Sequence, residues 1–311
     1  MNKTVALLLT ALMVGCSQVG TYSTSENEAA VQSSTLQGQH IATQLTTLYG
    51  RKFPNCNKVD SQPGFLCSGV TLRVTVRDPA GQYKVWDPSP TSVKSGGVSF
   101  SYLRADANFG RLAWGYGNGY ILYPFLEQPA GKDQLQYLCS YPMDAWGWHR
   151  SATEVCGPSA TFPVQSKRCQ DAGVTTAAQA VGVWNTPGGG NPNLRQCGFD
   201  VTDDRNTLAG PAFYQSVLAK PMLGTTGFNE HNEIIIRTWH AGRANTLPIM
   251  AFFFIAGGNN QGLPDAQYNQ RDFYNSTNPK IVVPIIRLTP PSSAAGTATF
   301  TYVAADQVVT Q

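Results

Sequence analysis

Val70-Thr71-Leu72-Arg73-Val74-Thr75-Val76 is an apolar, β-branched run broken by one guanidinium. Branched side chains pack well on a pleated surface, so the run predicts a strand over 70–76. Arg73 is its anomaly, because a guanidinium inside an apolar strand gains nothing unless an anion or carboxylate meets it. Working outward, 97–103 and 120–123 are the next predicted strands, bounded by Gly, Pro and Asp turns. On 97–103, Ser99 and Ser101 point to one face and Phe100 to the other. Further along, 233–239, 248–255, 281–288 and 297–303 read as strands, with a helix over about 265–274 between two of them. Upstream, Leu36, Ile41, Leu45 and Leu48 recur near helical spacing, and Gly50 stands where a helix stops. Strands outnumber helices without an alternation of β and α units. The expected fold class is therefore α+β with a mostly antiparallel sheet.

The first residues carry Lys3, an apolar run from Val5 to Val14, and Gly15-Cys16. That run is too short for a permanent span, which needs about 20 residues, and it reads as an export signal over 1–15. Met13-Val14-Gly15-Cys16 resembles the lipobox of bacterial lipoproteins, which implies a lipid on Cys16 and a membrane attachment through it; the plainer alternative is an ordinary secretory signal cut nearby. Ser17 after the cysteine tilts the expected address toward the outer membrane, with release from the cell as the other destination. Residues 16–35 are polar and without an apolar period, so a flexible tether is expected there. The remainder, 36–311, is expected to form a single domain.

The chain has seven cysteines. Setting Cys16 aside leaves Cys56, Cys67, Cys139, Cys156, Cys169 and Cys197 as disulfide candidates in an oxidising compartment. Their pairing is left open by the sequence, although Cys56 with Cys67 is favoured because it closes a short loop around Pro63-Gly64. No Cys-x-x-Cys pair or His-x-x-x-His spacing supports zinc. Four of these cysteines fall in a stretch of about 125–206 with the Pro187-Gly188-Gly189-Gly190 turn, which reads as a disulfide-rich insertion; 174–183 and 211–220 are helix candidates. Charged residues are 13% of the chain and the net charge is +3, without a basic cluster of the kind that tracks a phosphate backbone. Nucleic acid is not an expected partner.

Arg73 on one strand, Ser99-Phe100-Ser101 on the next and Asn232-Glu233 leading into Ile234-Ile235-Ile236 occur in a fixed order. This pattern resembles the signature of the Arg-Ser-Glu ADP-ribosyltransferase toxins. The stretch from Cys67 through Asp106, with the Asn232-Glu233 segment, is similar to the halovibrins, exported bacterial ADP-ribosyltransferases or NAD glycohydrolases. The resemblance implies an ADP-ribosyltransferase-like sheet and NAD as substrate, consumed without a metal. In that frame Arg73 holds the pyrophosphate, Ser99 and Ser101 orient the glutamate, and Tyr102 lines the cofactor cleft. Glu233 stabilises the oxocarbenium-like charge as the bond to nicotinamide breaks. Arg104, Glu230 and His231 are secondary candidates. His231 stands where transferases that modify arginine carry an acid or glutamine, so water is the favoured acceptor and a protein the alternative. The long separation of Ser101 from Glu233 would have to be absorbed by the cysteine-rich insertion.

The competing expectation is a non-catalytic envelope lipoprotein that binds glycan or a partner protein through aromatic loops. Asp144, Trp146, Trp148 and His149 cluster beside Cys139 and Cys156 and would supply that surface. Arg104 and Asp106 also fit an exposed pair on a turn. His231 and His240 read as hydrogen-bonded structural residues near strand ends, with proton chemistry as the sharper alternative. Gly115-x-Gly117-x-Gly119 lacks the spacing of a dinucleotide fingerprint and leads into a strand. Phosphate-binding loop, lipase-elbow and zinc-protease motifs are all missing from the sequence.

Overall fold

A computed structural model describes residues 22–51, 68–75, 84–94, 96–105, 117–124, 127–132, 135–141, 173, 179, 199–200, 231–237, 244–257, 262–293 and 295–309. Its elements are helix α1 (Tyr22–Gly50), β1 (Val70–Thr75), the short helix α2 (Pro90–Lys94), β2 (Val98–Leu103), β3 (Asn118–Leu122), β4 (Gln136–Tyr141), β5 (Phe199–Asp200), β6 (Glu233–Arg237), β7 (Ile249–Ile255), α3 (Gly262–Ser276), β8 (Ile285–Thr289) and β9 (Thr299–Tyr302). The strands form one nine-stranded sheet in the order β5-β4-β6-β2-β1-β3-β7-β8-β9. Every pair is antiparallel except β7 with β8, which α3 connects as a parallel pair requires. The α+β class with a mostly antiparallel sheet is what the strand patterns call for.

Each face of the sheet carries its own core. On one side α3 covers a cluster that includes Trp86, Phe100, Tyr102, Tyr120, Ile234, Phe252 and Phe273. Trp86, Phe252 and Phe273 meet edge to face, with centroids 5.1 Å apart for Trp86 and Phe273, the arrangement that ring quadrupoles favour. Across the sheet, α1 covers Leu72, Leu103, Ile121, Ala251, Phe253 and Ile286. The helix presents Ser34, Gly38, Ile41, Leu45, Leu48 and Tyr49 as a buried stripe, and the Tyr302 ring occupies the space where a side chain at Gly38 would lie. At its C-terminal end the Leu48 carbonyl accepts the Gly69 N–H at 2.7 Å and the Tyr49 carbonyl accepts that of Ala105 at 2.9 Å. Those contacts satisfy orphan helix carbonyls and fasten α1 to one end of the β1–β2 pair, where β1 begins and β2 ends.

Several expectations change here. Helix α1 begins at Tyr22, so the expected tether is helical over 22–35; Glu26, Glu28, Ala29, Ala30 and Gln32 are good helix formers, and no proline or glycine interrupts them before Gly38. Leu36, which recurs at helical spacing with Ile41, Leu45 and Leu48, is 59% exposed, whereas those three are buried. The cysteine-rich stretch read as an insertion gives β4 and β5 to the sheet, with β4 between β5 and β6. Cys139 on β4 is disulfide-bonded. The other five cysteines of the disulfide set, Cys16, the helix candidates over 174–183 and 211–220, Asp106, Glu230, His240 and the 144–149 cluster lie outside the described residues, apart from Gln179.

Two consequences follow for stability. Gly69 has φ +69°, and a Cβ there would run into the Tyr102 ring. Gly69→Ala is expected to cost about 1–3 kcal/mol through the left-handed backbone alone, with the displaced ring adding to it, measured as a lower urea midpoint. The Tyr137 phenol is fully buried, and that burial pushes its pKa above the ordinary range. An unfolded tyrosine ionises near pH 10, whereas the folded one keeps its proton, so this group's contribution is intact below about pH 10 and is lost as pH rises above it. Urea midpoints should hold steady up to about pH 9 and fall beyond pH 10, and Tyr137→Phe should flatten that fall.

Candidate functional site

Strands β6, β2 and β1, which carry Glu233, the Ser-x-Ser pair and Arg73, lie side by side in that order. Pairing fixes which side chains share a face, because residues directly opposite on neighbouring strands point the same way. Leu72 opposes Ser101, and Phe100 opposes Ile234. Ser101 therefore faces the α1 side, and Glu233, alternating with Ile234, faces that side too. Both are deeply buried, at 3% and 2% exposed, while Ser99 on the same face is exposed. The face thus opens at Ser99 and closes over Ser101 and Glu233. Ile235 and Cys139 continue it onto β4. Among the described residues no direct hydrogen bond links the Ser101 hydroxyl to the Glu233 carboxylate, and Glu233 has an interaction of its own.

Arg73 lies on the opposite face. It opposes Tyr120 on β3, and the unbroken register from Thr71 to Thr75 leaves no bulge to turn it. Tyr102 opposes Thr71, so it shares the Arg73 face, and its ring belongs to the α3-side cluster. The expected meeting of Arg73 and Tyr102 with Glu233 in one cleft is not formed. The reason is the two-residue period of a strand: the offset between Arg73 and the position opposite Ser101 is odd, and an odd offset changes the face. That parity depends on the pairing register, which the motifs do not contain.

Polar positions next to Glu233 along the chain are buried as well. Asn232 is fully buried, and its side-chain amide pairs with the Tyr102 backbone, accepting the N–H at 2.6 Å and donating to the carbonyl at 2.8 Å. A side chain thereby extends the β2–β6 ladder by one rung just ahead of Glu233. His231, one residue earlier, is 8% exposed. Arg104, read as a secondary cleft residue or as half of an exposed pair on a turn, is 1% exposed, which excludes the exposed pair; it donates from Nη1 to Ser68 Oγ at 3.2 Å, while the Tyr102 hydroxyl lies 3.1 Å from the same Ser68 oxygen.

A further polar group on the α3 side went unnoticed in the sequence. Asn118 at the start of β3 bonds Asp265 and Asn269, both from α3. An asparagine leading an apolar strand is the only local sign of it. Among the described residues no group of three or more His, Cys, Asp and Glu is placed to hold a metal ion, and no helix is long and apolar enough to cross a membrane. The chain matches no protein-family model, no curated protein and no solved structure.

Proposed function

We propose that this chain is an exported, lipid-anchored enzyme that cleaves the nicotinamide–ribose bond of NAD, on an ADP-ribosyltransferase-like sheet braced by disulfides in its cysteine-rich region. The observation that carries the reading is the placement of Ser101 and Glu233 on one face of adjoining strands, buried together beside an opening at Ser99. A carboxylate kept from bulk water acts strongly on charge that develops beside it. In the reaction the C–N glycosidic bond breaks and its electron pair leaves with nicotinamide. Glu233 stabilises the positive charge spread over the ribose C1′ and ring oxygen. Water then adds to C1′ and releases a proton, giving ADP-ribose; a protein nucleophile in place of water would give ADP-ribosyl transfer. Ser101 lies beside Glu233 on the same face, without a direct hydrogen bond to the carboxylate. Arg73 has no part in this account, and the pyrophosphate is not assigned to it.

The separation of Arg73 from Glu233 runs against the meeting expected for the enzyme and is what a non-catalytic lipoprotein for glycan or protein partners would show, so that reading stands second. One assay divides them. Purified mature chain is incubated with NAD, and free nicotinamide and ADP-ribose are followed by chromatography, with bound glycan scored in parallel. Nicotinamide release with matching ADP-ribose supports hydrolysis. Glycan binding by a folded chain that leaves NAD intact gives the second reading.

A further inference from the structure

We propose that the α3 face of the sheet holds a second site, distinct from the Glu233 face, for a small organic oxyanion with a hydroxyl beside its charged group. The site lies between Arg73 of β1 and Asn269 of α3. Arg73 is half-buried, with its Nη1 covered and without a hydrogen-bond partner, and no carboxylate among the described residues pairs with it. Asn269 is 1% exposed, and its Oδ1 is likewise buried without a partner. One atom is a cationic donor in want of an acceptor and the other an acceptor in want of a donor.

The register places the two on the same face of the sheet, one rung apart. Arg73 and Thr75 lie on the α3 side of β1, opposite Tyr120 and Asn118 of β3. Asn118 Oδ1 accepts from Asn269 Nδ2 at 3.0 Å, and Asn118 Nδ2 donates to Asp265 Oδ2 at 3.4 Å. The Arg73 backbone is thus one rung, about 6.6 Å along the strand, from the pair that holds Asn269, within reach of a long side chain. The relay Asp265–Asn118–Asn269 fixes the amide so that its free oxygen is the end of the chain. A buried water would join the two atoms but would leave the guanidinium charge without a counter-ion, whereas an oxyanion supplies the charge and its hydroxyl supplies the proton to Asn269. The partial exposure of Arg73 provides the route in.

Isothermal titration at low ionic strength with glycerol 3-phosphate, inorganic phosphate and glycerol tests this on the full chain. Glycerol 3-phosphate is expected to bind saturably at one site, inorganic phosphate more weakly and glycerol not at all. Arg73→Met, folded by near-UV circular dichroism, should raise the dissociation constant at least about tenfold, as loss of a charge-assisted contact does. Asn269→Asp should do the same by placing a carboxylate against Arg73 and repelling the anion; if that variant does not fold, Arg73→Met decides. No saturable binding of glycerol 3-phosphate, or binding unchanged in Arg73→Met, overturns the site. Equal affinity for both phosphate probes overturns the role of Asn269.

Discussion

Asn232→Ala is expected to lower the unfolding free energy by about 2–5 kcal/mol. Its amide makes two hydrogen bonds to the Tyr102 backbone in a fully buried position. Removing it strands a buried N–H and a buried carbonyl, each at a cost of about 1–3 kcal/mol. That is a large part of the roughly 5–15 kcal/mol by which a domain is stable. Urea unfolding followed by tryptophan fluorescence measures it, and Asn232→Asp provides the sharper control. Aspartate keeps the shape and an acceptor but loses the donor and sets a carboxylate against the Tyr102 carbonyl, so it should be no more stable than the alanine variant. A loss below about 1 kcal/mol in both variants would show that the rung is not made in solution.

Glu233→Gln is expected to lower nicotinamide release from NAD by about a hundred- to a thousandfold, the usual loss when one electrostatic stabiliser of a transition state is removed. Glutamine fills the same volume and keeps hydrogen-bonding capacity, so the buried position stays packed while the negative charge goes. The loss should fall on kcat with KM little changed, because the charge it meets exists only in the transition state. Unaltered kcat in a folded Glu233→Gln variant would remove this residue from the chemistry.

The fold was largely legible because its information is local. Runs such as 249–255 and 285–289 announce strands by β-branched and aromatic content, and the class follows from their number and the lack of alternating helices. Strand β4 is harder to see: Gln136-Tyr137-Leu138-Cys139-Ser140-Tyr141 sits in the cysteine-rich stretch that reads as a disulfide-rich insertion. The helical turns before Leu36 were missed for a different reason. A polar helix without an apolar period carries only weak propensity, and propensity is a poor guide where the packing is not known.

The site was legible only by halves. Ser99 and Ser101 share a face by the period of their own strand, and that needs no partner. Whether Arg73 joins them depends on how β1 registers with β2 and β3, and a shift of one residue would have reversed the answer. Side-chain amides were the other blind spot. Asn232 serves Tyr102 as a strand would, and Gln307 does the same for Ile285, accepting its N–H at 2.8 Å and donating to its carbonyl at 2.9 Å. Neither residue is distinguishable in sequence from an ordinary polar position beside an apolar run.

The most direct test of the chemistry assigned to the Ser101–Glu233 face is a crystal structure of Glu233→Gln with NAD bound. The nicotinamide ribose is expected within hydrogen-bond distance of residue 233, on the α1 side of the β6–β2 pair, with the route to solvent passing Ser99. NAD seated instead on the α3 side, against Arg73 and away from residue 233, would contradict it.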